Sequence, residues 1–198
     1  MGRVTKEDIQ AVFERLVDQF GLDKVTMKEL AREAGISVGA IYLHFKSKDA
    51  LIAAYEERWT LHVKLWNARI LESDRPLEAK MHDIILDHVR DFCRLIHEKR
   101  GVYELMMGAQ QLRYLGRATA DTRIEMFRTF ATNAAQIMAE GCERGDFEIA
   151  DIPGTAQHFV GAFHLYFTPE VMKHHPPEEL EKGAEGMFEL LMKAIRSG

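Results

Sequence analysis

A chain of 198 residues that is 46% apolar can bury a core and form one or two domains. Two cysteines make no disulfide framework or paired-thiol zinc site, no apolar run reaches the roughly 18 residues of a membrane span, and the opening residues lack a signal's apolar stretch, so a cytoplasmic protein is expected. A net charge of −5 excludes a generally basic, non-specific nucleic-acid binder.

Helical periodicity runs nearly end to end, and strand-type alternation is scarce. Ile9, Phe13, Leu16, Val17 and Phe20 give a first helix one apolar face, with Thr5 as its cap and Gly21 as its end. Thr26-Met-Lys-Glu29 is a capping box that opens a short second helix. Ser37 and Ser47 are placed to cap a third and a fourth, and the fourth runs over 47–72 without Gly or Pro. Ser73-Asp-Arg-Pro76 breaks the pattern and starts a long helix with Leu77, Met81, Ile84, Ile85, His88, Phe92, Leu95 and Ile96 on one face. Further helices are predicted near 102–114, 118–143, 154–167 and 178–196, and Pro76, Pro153, Pro169, Pro176 and Pro177 all sit where a helix could begin. The expectation is an all-α fold of about nine helices.

Residues 26–51, TMKELAREAGISVGAIYLHFKSKDAL, hold the densest signal. Two helices of about eight and seven residues flank Ala34-Gly35-Ile36-Ser37, the length of a helix-turn-helix. Ala31 is small where helices cross, and Gly35 can take positive φ at the turn. Leu30, Ala34, Ile41 and Phe45 are expected inward. Val38, Gly39, Tyr42, Leu43 and His44 then face outward, which a helix that merely packs does not need. Residues 24–48 also carry a local charge of +3.

Over residues 5–55 the sequence resembles the TetR family of bacterial transcriptional regulators. The likeness rests on Phe20-Gly21, Thr26, the Leu-Ala-x-x-Ala-Gly-Ile-Ser-x-Gly run, Tyr42-x-His44-Phe45 and Lys46-Ser47-Lys48-Asp49-x-x-Leu51. The resemblance implies a three-helix DNA-binding domain over 1–50 with a recognition helix at 38–44. It implies a helical effector-binding and dimerisation domain over 51–198, joined to the first by the long helix 47–72. The implied protein is no enzyme. It is a ligand-responsive repressor that binds a palindromic double-stranded operator as a homodimer through its last two helices, and releases it when a small molecule binds.

Family positions that touch bases fall on Val38, Gly39, Ala40 and Leu43. These are apolar here, so Val38 and Leu43 would discriminate by contact with thymine methyls, and DNA shape would carry an unusual share of specificity. Thr26, Ser37, Tyr42, His44 and Lys48 are the expected phosphate contacts, with Arg3 and Lys6 as an N-terminal arm. Thr26 and Ser37 would be helix caps in any protein, so a DNA role is additional to that one. In the last helix, Leu180, Ala184, Met187, Phe188, Leu191 and Ile195 recur at helical spacing, with Gly183 and Gly186 permitting close approach.

An effector pocket would draw on helices within about 77–167. His88, Phe92, Tyr103, Met107, Gln110, Phe127 and Phe163 are its candidates, and their chemistry suits an apolar or aromatic effector. At helical spacing the same residues also read as ordinary core. No His-Glu-x-x-His, di-iron or phosphate-loop motif occurs, so neither catalysis nor a cofactor is expected. Metal or haem sensing through His174-His175 or the His158/His164 pair is a further alternative, although six residues is a poor chelating interval on one helix.

Overall fold

A computed structural model describes residues 4–114 and 122–196. The fold is all-α: eleven α-helices and no strand among the described residues, with one isolated antiparallel bridge between Phe147 and Arg196. Described residues within Met1–Trp59 and Leu95–Asp121 cluster into one compact unit, and those within Thr60–Arg94 and Thr122–Gly198 into another.

The first unit opens with α1 (Lys6–Phe20), whose capping box is reciprocal: the Asp8 N–H donates to the Thr5 hydroxyl and the Thr5 N–H donates to the Asp8 carboxylate. A 3₁₀ turn over Leu22–Lys24 leads to α2 (Met27–Glu33) and α3 (Val38–His44). Gly35, at φ +68°, sits between them in the left-handed region that a side chain would strain. Next comes α4 (Lys48–Leu71), with Ser47 capping Ala50 at 3.1 Å. Its residues up to Trp59 belong to this unit. Ile9, Phe13, Leu30, Ala31, Ile41, Phe45, Leu51 and Ile52 are buried as one apolar core.

After Glu98, α7 (Arg100–Tyr114) completes the unit by packing on α1. The contact is backbone-close: the Gly101 N–H donates to Asp18 Oδ1 at 2.9 Å, and a Cβ on Gly101 would stand 2.7 Å from the Asp18 nitrogen. Glu104 accepts from the Leu22 N–H and pairs with Arg100, while Lys48 donates to the Leu22 carbonyl. The loop between α1 and α2 is thereby held from both sides.

In the second unit the predicted long helix is three pieces. α5 (Leu77–His82) passes through a π turn at Asp83–Asp87 into α6 (His88–Glu98). The wider turn allows Asp83, Ile84, Ile85 and Leu86, four residues in succession, to be buried, which one face of a regular helix does not permit. α8 (Thr122–Arg144) packs most extensively on α9 (Ile152–Ala162), which Asp151 caps through the Gly154 N–H at 3.1 Å. The expected 154–167 helix breaks at Phe163 into a 3₁₀ turn over His164–Phe167. An additional α10 (Pro169–His174), absent from the predicted helices, starts at Pro169, a proline placed where a helix could begin. α11 (Pro177–Ile195) closes the unit, and Arg196 pairs with Glu78 of α5.

The apolar stripe of α11 allowed either a dimer interface or an ordinary core face, and Leu180, Ala184, Phe188 and Ile195 of it are buried inside the protomer. An amphipathic stripe on a terminal helix is consumed first by its own core. Leu190 is the large apolar residue that α11 leaves exposed, with Gly186 open beside it and Met187 and Leu191 half-buried.

Candidate nucleic-acid interface

Three devices fix α3, the helix expected to read DNA. Thr26 and Glu29 form a reciprocal capping box at the start of α2, and these bonds from the Thr26 backbone N–H and hydroxyl hold the Glu29 carboxyl below its ordinary range. The Ala40 N–H donates to the Ser37 hydroxyl at 3.1 Å, which starts α3. Ile41 and Phe45 anchor the inner face of α3 in the core. Seven helical residues therefore stand on a rigid base.

The outer face is apolar. Val38, Tyr42 and Leu43 are exposed, and Leu43 is 79% accessible. Solvent exposure of three such residues on two helical turns costs free energy that folding alone does not recover. Gly39 is equally uneconomical for folding. A Cβ there would meet only the Ser37 hydroxyl, at 3.9 Å, so nothing within the chain requires glycine. Ala40 is half-buried at the edge of this face. The Gly39→Ala substitution is expected to raise stability by up to about 1 kcal/mol in urea denaturation, because alanine is the better helix former. The same variant is expected to bind DNA more weakly, since a methyl would intrude where backbone meets groove. Gains in both properties would remove Gly39 from the interface.

The polar candidates differ in what they have left to give. Thr26 spends its hydroxyl hydrogen on Glu29 at 3.0 Å, so it must break its box to donate to a phosphate. Ser37 uses only its oxygen as an acceptor and keeps its hydrogen. Tyr42 is exposed and His44 half-buried at the end of α3. Lys48 is half-buried, and its bond to the Leu22 carbonyl gives it a structural task that its motif position did not reveal. Lys6, expected in a free arm, lies in the first turn of α1 with its ammonium 5.8 Å from the centre of the Phe45 ring. Arg3 lies outside the described residues.

The effector candidates fall in both units. Tyr103, Met107 and Gln110 are half-buried on α7 of the first. Phe92 and Phe163 are buried and Phe127 partly exposed in the second. His88 is buried, and its Nε2 lies 2.9 Å from Asn67 Oδ1. Burial, helped by the neighbouring charge of His62, pushes its pKa down to about 4. An unfolded histidine binds its proton near 6.5, so between these values the unfolded chain holds more protons. Stability is therefore full above pH 6.5 and falls as pH drops toward 4, by on the order of 3 kcal/mol. Urea unfolding across this window is expected to show a steeper acid loss for the wild type than for His88→Gln, and parallel curves would refute the assignment.

Among the described residues, the three-residue group with metal-ligand spacing holds a different histidine from those the sequence singled out. His82, Asp83 and Asp87 place ligand atoms within 4.8 Å of one another. Asp83 pairs with Arg75 and Asp87 with Arg90 at 2.8 Å, and His82 Nε2 lies 3.2 Å from Glu185 Oε1, so each of the three groups already has a partner within the chain.

Residues 12–55 match the family profile of bacterial regulatory proteins, tetR family. An uncharacterized HTH-type transcriptional regulator of Haemophilus influenzae is 40% identical over 52 residues, 26% of this chain, and the chain spans only 28% of that relative's length. A transcriptional regulator from Cytophaga hutchinsonii has a similar structure at TM-score 0.73 and 17% identity, covering 96% of this chain and 98% of its own. So does SmeT, in complex with triclosan, at TM-score 0.65 and 20% identity over 98% and 93%; SmeT is the repressor of a Stenotrophomonas maltophilia multidrug efflux pump. At these identities the structural likeness establishes the fold, while the sequence match covers the reading head.

Proposed function

We propose that the chain is a DNA-binding regulator of the TetR family, and that it is a cytoplasmic repressor which releases a palindromic operator when a small apolar or aromatic molecule binds. The observation that carries the reading is the outer face of α3. An exposed Leu43, Val38 and Tyr42, with a Gly39 the fold does not need, make a surface complementary to a groove edge rather than to water.

Residues 38–44 enter the major groove in this reading, and Ser37, Tyr42 and His44 hold phosphates, with Thr26 and Lys48 contributing when their internal bonds open. The functional division runs at residue 50, with 51–198 binding effector and partner. Compactness divides the chain differently because α7 packs on α1. A homodimer formed through the end of the chain, with Leu190 and Gly186 at its contact face, sets two heads against two half-sites. The bound triclosan of SmeT supports an aromatic effector for a chain of this fold. Release requires the effector to prefer the DNA-incompetent state, and DNA then weakens the effector in the same proportion.

Selection of bound sequences from random duplex DNA tests the reading. Two inverted half-sites about one helical turn apart are the expected product, with affinity falling as salt rises. Enrichment of no sequence, or of an unpaired half-site, would overturn it. Strong preference for G or C at the central contacts would overturn the methyl-and-shape mode of recognition.

A further inference from the structure

Two of the buried polar side chains of the second unit, Asn67 and His88, meet in one place beside the half-buried Trp66. Asn67 of α4 is 1% exposed, and its Oδ1 faces Nε2 of the buried His88 of α6. Trp66, next to Asn67, approaches the His88 ring edge-on with centroids 6.2 Å apart. Phe130 of α8 meets the same ring at 5.4 Å, and Phe167 stacks on Phe130 at 5.3 Å. Asn67 Nδ2 and Trp66 Nε1 are both buried and have no hydrogen-bond partner among the described residues.

Two buried donors in one aromatic cluster are a liability for a core made only to pack, since phenylalanine and leucine would fill the space without them. Turning the Asn67 amide would give its NH₂ to His88 and leave its oxygen orphaned instead, so the side chain keeps an open valence in either orientation. The indole N–H can only donate, and it sets the sign of what the cluster lacks.

Resting on the reading of this unit as the effector-binding body, we propose that Trp66 and Asn67 recognise the effector as an uncharged aromatic molecule bearing a carbonyl-type acceptor oxygen. The oxygen takes the indole and amide N–H groups, and the rings of the effector lie against the aromatic cluster that Trp66, His88 and Phe130 form by packing on one another. His88 orients the Asn67 amide. Because burial keeps the imidazole neutral at ordinary pH, the cluster offers a carboxylate no positive charge to pair with. A site built to hydrogen-bond an oxygen rejects the analogue that lacks it more sharply than an apolar pocket rejects a change of size.

Isothermal titration of the full chain with matched pairs tests this: benzophenone against diphenylmethane, and 2-acetylnaphthalene against 2-ethylnaphthalene, with biphenyl-4-carboxylate as the charged arm. At least one ketone is expected to bind roughly tenfold tighter than its hydrocarbon partner, and the carboxylate more weakly than the ketones. Trp66→Phe, which keeps the aromatic surface and removes the donor, is expected to bring that ratio close to one while hydrocarbon affinity stays level. Asn67→Leu, of similar volume, is expected to act the same way, and melting curves of both variants report folding. Equal affinity within each pair, a ratio unchanged in Trp66→Phe, or no ketone binding would overturn the proposal and make the cluster a water-satisfied core. Binding of the same preparation to its selected operator separates the two failures. A chain that binds DNA but ignores ketones loses this inference alone, whereas one that enriches no DNA loses the underlying reading.

Discussion

Leu43→Glu is expected to lower operator affinity by at least 100-fold while the melting temperature stays within a degree or two of wild type. The stability half follows from position. Leu43 is 79% exposed, and surface substitutions away from buried features usually fall within about 0.5 kcal/mol. The binding half adds two losses. The apolar contact to a thymine methyl disappears, and a carboxylate enters a groove walled by phosphates. Leu43→Ala isolates the first loss and is expected to cost about three- to tenfold, in the range of a single mismatched base contact of roughly 1–3 kcal/mol or slightly below it. Replacing operator thymines by uracil one at a time completes the cycle. Where Leu43 reads a methyl, uracil weakens the wild type and leaves Leu43→Ala unchanged, and the two losses fail to add. Fluorescence anisotropy at one fixed salt concentration supplies the numbers. Wild-type affinity in Leu43→Glu would place the reading surface elsewhere, and a collapsed melting temperature would make Leu43 part of the fold.

That experiment is aimed at a residue whose exposure was legible from sequence, and the reason is local. Thr5, Thr26, Ser37 and Ser47 cap their helices through bonds spanning three residues, so a short window contains the whole interaction. The inner and outer faces of α3 follow from helical spacing, and Ile41 and Leu43 fall on opposite sides as expected. The π turn at Asp83–Asp87 was not legible, because its residues are compatible with a regular helix and only the packing around them demands the wider turn. Lys48 was assigned from its motif, yet the Leu22 carbonyl it binds lies 26 positions away. The α11 stripe was visible, but periodicity says only that a face is buried and not against what. The unpaired Trp66 and Asn67 donors escaped for the same reason: orphaning is a property of the neighbours, and α6 and α8 are distant in sequence.

Gly101 is the strongest case of such a distant constraint, and it yields the second large effect. On α7 both Gly101→Ala and Gly108→Ala gain helix propensity, by up to about 1 kcal/mol, so composition alone predicts two similar stabilisations. Their surroundings differ. A Cβ at position 108 would meet the Leu22 Cδ2 at 2.8 Å, the far end of a flexible side chain that can swing aside. A Cβ at position 101 would meet the Asp18 backbone nitrogen at 2.7 Å and its Cα at 2.9 Å, and the backbone of α1 has no rotamer to change. The α1–α7 contact must open, which also stretches the 2.9 Å bond from the Gly101 N–H to Asp18 Oδ1. Overpacking of this kind costs about 1–3 kcal/mol and a lost hydrogen bond about 1 more, enough to outweigh the propensity gain. Gly101→Ala is therefore expected to melt about 4–16 °C below Gly108→Ala, at roughly 2–4 °C per kcal/mol for a chain of this length. Operator affinity is expected to fall with it, because the loop that Glu104 and Lys48 hold at Leu22 joins α1 to α2, and its position depends on α7 staying docked. Equal melting temperatures for the two variants would mean that α7 can retreat from α1 at no cost, and the reading head would then owe its rigidity to its own three helices alone.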